Sequence, residues 1–114
     1  MHELSIAQSI IAIVEKSLPE DFTGVVENIG LQVGELSGIE VDALSFSFSI
    51  LKEKSKIPHS NLTIEKIVAK ALCKSCGAEF FLKSFGESCL QCNSLQYSIV
   101  QGKELKVLKI TVSD

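Results

Sequence analysis

From Leu4 to Leu18 the apolar residues Leu4, Ala7, Ile11, Val14 and Leu18 return every three or four positions, while Ser5, Gln8, Glu15 and Lys16 fall away from that stripe. This period predicts an amphipathic helix, and Pro19 ends it. After a polar turn around Glu20 to Gly24, Ile29, Leu31 and Val33 alternate with Gly30, Gln32 and Gly34. Alternation of that kind predicts a strand with one covered face. Gly34 and Gly38 then mark a loop.

The stretch ALSFSFSI fits two periods. Leu44, Phe46, Phe48 and Ile50 alternate with small residues as in a strand, whereas Val41, Leu44, Phe48 and Leu51 form a helical stripe. Charge order decides for the helix. Glu40 and Asp42 stand at its start and Lys52, Lys54 and Lys56 near its end, the arrangement that complements a helix dipole. Pro58 to Asn61 reads as a loop, and Leu62 to Leu72 as a strand running directly into Cys73. Beyond the cysteines, Tyr97 to Val100 is a short strand, Gln101 to Lys103 a turn, and Leu105 to Val112 a last strand with Leu108, Ile110 and Val112 on one face. The expected fold is α+β: two helices packed on a roughly three-stranded sheet, with a small zinc-ribbon-like module inserted between its strands. The expected division is 1–72 plus 100–114 for the main domain and 73–99 for the module.

A chain of 114 residues that is 46% hydrophobic can bury one core. The net charge of -3 comes from 11 lysines and 14 acidic residues. Such a balance offers no basic face to neutralise a run of phosphates, so nucleic acid is not expected as a partner. The N-terminus has no secretory pattern and no apolar run is long enough to span a bilayer. A cytoplasmic protein without membrane insertion is expected.

All four cysteines fall in the order C-x-x-C, twelve residues, C-x-x-C, as CKSCG and CLQCN. Each pair places two sulfurs on one tight turn, where both reach a single ion at about 2.3 Å, and two such knuckles complete a tetrahedron. Gly77 and Asn93 follow the two pairs and suit the left-handed backbone these turns need. Phe80, Phe81, Leu82 and Phe85 can cover a centre otherwise too small to hold itself together. A structural zinc ion on Cys73, Cys76, Cys89 and Cys92 is the expected occupant. Iron with the same sulfur geometry is an alternative, as is a redox-active pair, although a redox pair leaves the second copy unexplained.

The opening MHELSIAQSI places a histidine beside the terminal amine. The amine of Met1, the amide nitrogen of His2 and its imidazole can close a five-membered and a six-membered chelate ring, and Glu3 can add an oxygen. Three nitrogens in a plane favour Ni(II) or Cu(II) over zinc. A solvated, idle histidine is the competing reading. His59, between Pro58 and Ser60, reads as exposed and without a metal role.

The opening MHELSIAQSI, the middle VGELSGIEVDAL and the two C-x-x-C pairs, in this order and at these distances, resemble the HypA/HybF family of hydrogenase nickel incorporation proteins over nearly the entire chain. The resemblance implies a nickel metallochaperone for [NiFe] hydrogenase, and in some members urease. Its implied partners are a GTPase maturation factor and the hydrogenase large subunit precursor, with monomer and homodimer both open. Ni(II) would be transferred cargo and Zn(II) structural. By position, the resemblance implies nickel ligation by His2 with Met1 and Glu3, and zinc ligation by Cys73, Cys76, Cys89 and Cys92; Glu40 lies in the matching loop and is expected near the nickel. The chain departs from the family in its second knuckle, where Cys89-Leu90-Gln91-Cys92-Asn93 replaces the usual C-P-x-C-G and predicts a looser turn. No histidine flanks either pair to exchange with a cysteine.

Two other classes compete. An enzyme is disfavoured because GELSG is not a nucleophile elbow and no phosphate loop is present, so no catalytic residue is assigned. A zinc-ribbon protein-interaction adaptor without nickel transfer remains the alternative.

Overall fold

The computed structural model describes residues 3–114. Helix α1 (Glu3–Ser17) is followed by β1 (Val25–Gly34), α2 (Val41–Leu51), a 3-10 turn (Lys52–Lys54), β2 (Asn61–Ile67), β3 (Lys70–Cys73), β4 (Glu79–Phe81), β5 (Tyr97–Gln101) and β6 (Leu105–Ser113). The strands form two three-stranded sheets, ordered β2-β1-β6 and β4-β3-β5. The chain divides into two compact units. One takes the chain up to Leu31 with Ile39–Glu65 and Lys106–Asp114, the other Gln32–Gly38 with Lys66–Leu105.

In the first unit α1 buries Ala7, Ile10, Ile11 and Val14, the predicted stripe with Ile10 added and Leu4 left half in solvent. Burial settles the ALSFSFSI question. Leu44 and Phe48, one helical turn apart, are buried, whereas Phe46 and Ile50 are exposed; a strand would have hidden all four on one face. Ile29 and Leu31 of β1 are buried on alternate positions, as predicted.

The two helices run parallel. At one end the amide of Glu40, just before α2, donates to Glu3 Oε2 at the start of α1 (3.1 Å). At the other end the amide of Lys56, past the 3-10 turn, donates to Glu15 Oε2 in the last turn of α1 (2.8 Å). Both N-termini therefore lie together, and their dipoles present partial positive charge at the same place. The carboxylates of Glu3, Glu40 and Asp42 gather there, complementing that charge.

In the second unit β3 is the middle strand, antiparallel to both neighbours, with Ala71 opposite Phe80 on β4 and Ile99 on β5. Its core is Ala69, Ala71, Cys73, Phe80, Leu82 and Cys89, flanked by Leu36, Tyr97 and Ile99. The small alanines of β3 leave room for Phe80, which meets Tyr97 edge to face at 5.4 Å. Here the structure corrects the sequence reading. The single strand expected over Leu62 to Leu72 is two strands in different sheets, because the peptide groups between them are satisfied elsewhere. The Ala69 amide donates to Glu35 Oε1 (3.1 Å), the Ala69 carbonyl accepts from the Leu82 amide (3.0 Å), and the Val68 carbonyl accepts from Gln101 Nε2 (2.9 Å). The compact unit also reaches beyond the 73–99 segment, since β3 is the stem of the first knuckle and the GELSG segment belongs to it. Amides of Gly34, Glu35 and Leu36 donate to the carbonyls of Glu104, Ile67 and Gly102 at 2.8, 2.9 and 2.7 Å. Among the described residues no helix is long and apolar enough to cross a membrane.

Candidate metal centre

Cys73 ends β3, and the chain turns at once so that Cys76 comes back beside it. The turn is fixed by three backbone bonds: Gly77 amide to Cys73 carbonyl (3.0 Å), Cys73 amide to Ala78 carbonyl (2.9 Å), and the Cys76 amide to Cys73 Sγ (3.4 Å). Gly77 has φ of +79°, as the sequence requires of it. Sixteen residues on, the second knuckle repeats the pattern. The Asn93 amide donates to the Cys89 carbonyl (2.9 Å), the Cys89 amide to the Ser94 carbonyl (2.9 Å), and the Gln91 amide to Cys89 Sγ (3.4 Å). Asn93 carries φ of +63°, a conformation that asparagine tolerates better than most residues. The two backbone-to-backbone bonds of the second turn match those of the first within 0.1 Å; the turns differ in the amide aimed at the leading sulfur, which comes from the third residue on in the first knuckle and from the second residue on in the other.

The two knuckles face each other. All four sulfurs lie within 4.8 Å of one another, with Cys73 Sγ to Cys92 Sγ at 3.6 Å and Cys76 Sγ to Cys89 Sγ at 3.7 Å. Four thiolates on a tetrahedral ion at about 2.3 Å require sulfur separations of about 3.8 Å. The donor set therefore fits one tetrahedral ion with no coordination position left open. Two contacts that the sequence gave no sign of bind knuckle to knuckle: the Lys74 amide to the Gln96 carbonyl (2.8 Å) and Ser75 Oγ to Ser94 Oγ (3.0 Å). Serines at those places are too common to signal a pairing.

Cys73 and Cys89 are buried among the apolar side chains, and Cys76 and Cys92 are exposed. Their acidities split along the same line. The Cys76 amide aimed at Cys73 Sγ, aided by that of Ser75, lowers this thiol to about 6 against burial. Amides of Cys92 and Gln91 lower Cys89 as well. Cys76 and Cys92 each receive a backbone amide, from Ala78 and Ser94, yet both are raised; the neighbouring sulfurs and desolvation prevail and put Cys92 at about 12. The first cysteine of each knuckle is thus the more acidic of its pair, and Cys73 is the one held below neutrality. Only a cation can hold all four as thiolates.

At the other candidate site, Met1 and His2 lie outside the described residues. Glu3 and Glu40, separated by most of α1 and β1 in sequence, are brought into hydrogen-bond contact. Glu40 is the N-cap of α2: its Oε1 accepts from the Asp42 amide at 3.4 Å, and its carbonyl accepts from the Leu44 amide at 2.9 Å. His59 is exposed, as expected.

Comparison with known proteins agrees with this geometry. A family model described as hydrogenase/urease nickel incorporation, metallochaperone, HypA matches residues 1–112. The hydrogenase maturation factor HypA of Chlorobaculum tepidum is 36% identical over 112 residues, covering 98% of this chain and 99% of that protein. That of Rippkaea orientalis is 37% identical, covering 100% and 97%. The solution structure of the Ni metallochaperone HypA from Helicobacter pylori superposes with a TM-score of 0.68 at 26% identity, covering 96% of each chain. With the paired knuckles, the helix-and-sheet unit and a match over nearly its whole length, the chain belongs to the HypA family of hydrogenase maturation factors.

Proposed function

We propose that this protein is a nickel metallochaperone that delivers Ni(II) during maturation of [NiFe] hydrogenase, with urease as a further recipient, and that it does so without being an enzyme. Nickel is cargo, gripped by the amine of Met1 and the amide and imidazole of His2, with Glu3 and Glu40 close by. Zinc is structural, held by Cys73, Cys76, Cys89 and Cys92. The reading is carried by the family match over residues 1–112, and the closed four-sulfur centre supports a bracing rather than a transferring role for zinc. A site of few ligands at the chain terminus suits a carrier, since cargo leaves by ligand exchange more readily than from a closed cage. The working partners are a GTPase maturation factor and the hydrogenase large subunit precursor, in the cytoplasm.

Calorimetric titration of untagged, zinc-replete protein with Ni(II) tests the proposal. One nickel ion bound beyond zinc, lost in His2→Ala and lost when a tag turns the amine into an amide, is the expected result. Nickel uptake indifferent to both changes would favour the adaptor that binds proteins without carrying nickel.

A further inference from the structure

β6 is the outermost strand of its sheet, with no neighbour beyond it among the described residues. It is nine residues long and contains neither proline nor glycine, so its free edge offers an uninterrupted template for another strand. Gly30 fixes which side chains flank that edge, because a Cβ there would stand 3.5 Å from the Lys109 Cβ. Lys109 is therefore on the face of β1 opposite to the buried Ile29 and Leu31, and Leu108, Ile110 and Val112 project to the core side. The core does not cover this row: Leu108 is 58% exposed and Val112 45%. At the other margin of the sheet β2 is shorter, and its Leu62, Ile64 and Ile67 are half-buried.

A second copy of the chain fits the edge of β6. Two such strands paired antiparallel about a twofold axis make every contact twice. Keeping both core faces on the same side of the joined sheet requires the axis to pass through a residue, since a slip of one position turns the side chains over. Centred on Lys109, the pairing sets two ammonium groups opposite each other. Centred on Leu108 it sets Lys106 against Ile110, and centred on Thr111 it sets Leu108 against Asp114; centres further out pair fewer residues. Centred on Ile110, Leu108 meets Val112, Ile110 meets its own copy, and Lys106 meets Asp114 at either end of the apolar row. Lys106 and Asp114 are both exposed and neither has an ion-pair partner among the described residues. Lysines on an edge strand ordinarily discourage pairing; here they exclude the neighbouring registers and leave one. We propose that β6 pairs with β6 of a second copy, antiparallel and centred on Ile110, so that the two sheets become one.

Pairing along one strand edge covers less surface than a standard interface, so the dimer is weak, and sedimentation equilibrium of zinc-loaded protein is followed up to about 1 mM. Lys106→Asp and Asp114→Lys each place like charges opposite at both ends, and each should weaken association by about tenfold to a hundredfold. Mixed in equal amounts, the two variants should form a heterodimer of wild-type affinity, since every aspartate then meets a lysine. That recovery also shows that neither variant is misfolded. Lys109→Asp, opposite Thr111 in this register, should change association by less than about threefold. The register is read separately with zinc in place. Ile110→Cys should cross-link to its own copy on mild oxidation, Leu108→Cys alone should not, and Leu108→Cys mixed with Val112→Cys should.

Wild type that stays monomeric at the highest concentration would overturn the proposal, the lysines then serving only to guard the edge. A dimer indifferent to both charge reversals would overturn it as well, because association would then use another surface. Charge variants that fail to recover on mixing, or a cross-link at Leu108→Cys alone, would overturn the register. None of these outcomes depends on whether the protein binds nickel.

Discussion

Gly34 and Gly102 approach so closely that a Cβ on Gly34 would stand 2.1 Å from the Gly102 carbonyl oxygen. Gly102 in turn has φ of +115° and faces the backbone of Ala69, whose Cα a Cβ there would meet at 2.6 Å. Three strand ends of the cysteine-bearing unit therefore depend on two residues having no side chain. Gly34→Ala should destabilise that unit by about 1–3 kcal/mol, the range for overpacking against atoms that cannot yield. Gly102→Ala adds a strained backbone to the same crowding. Because a Cβ on Gly34 meets the Gly102 carbonyl whereas one on Gly102 meets Ala69, the two clashes are distinct and the double variant should cost more than either single one. Denaturant unfolding of the three variants, followed at Tyr97, checks both statements.

The buried and exposed cysteines should differ in what their loss does. Cys89→Ser and Cys92→Ser both remove a thiolate and should both empty the centre, read as loss of one zinc ion per chain by elemental analysis. Cys89 lies within the apolar cluster and Cys92 at its rim. Zinc-free Cys89→Ser should therefore also lose about 1–3 kcal/mol for a hydroxyl buried in place of sulfur, and zinc-free Cys92→Ser nearly nothing.

Zinc uptake should depend on pH with a sign that the thiols fix. At pH 7 Cys73, at about 6, is already mostly ionised, while Cys92, at about 12, is protonated and Cys76 is raised. Binding must expel at least the protons of Cys76 and Cys92, so the apparent association constant should rise by at least about a hundredfold per pH unit near neutrality. Below pH 6 Cys73 takes up its proton too, and the dependence should steepen. Competition titrations with a chromophoric chelator between pH 5.5 and 8 check this; four thiols of equal, ordinary acidity would give a single, steeper slope with no change near pH 6.

Glutamate is not among the best helix caps, and at 3.4 Å the bond from the Asp42 amide to Glu40 is long. Glu40→Ala should accordingly cost α2 no more than about 0.5 kcal/mol, the lower end for a lost cap. Glu40→Asp, whose shorter side chain suits the geometry better, should restore or exceed the wild-type stability. Thermal unfolding monitored by helical circular dichroism measures both.

Much of this was legible before any coordinates. Period placed α1, alternation placed the inner half of β1, and the charge order around ALSFSFSI chose α2 correctly over a strand. The cysteine spacing located the four-sulfur centre because a metal knuckle is a local object, defined by residues that are neighbours in sequence. What escaped was non-local. The break at Val68–Ala69 arises from Glu35 and Gln101, side chains far off in sequence that capture backbone groups a continuous strand would have used. Strand β4 is three residues long and exists because β3 lies beside it, with Phe80 turned inward and Phe81 outward. The Glu3–Glu40 contact likewise follows from the helices running side by side, which no local pattern announces.

The uneven exposure of the four sulfurs gives the centre a front and a back. A competing thiol or chelator meets Cys76 and Cys92 first, one from each knuckle, while Cys73 and Cys89 stay shielded by Phe80, Leu82 and their companions. Demetallation should then proceed from the rim inward through a two-sulfur intermediate, so that the rate at which the ion is lost reports on the solvent-facing pair alone.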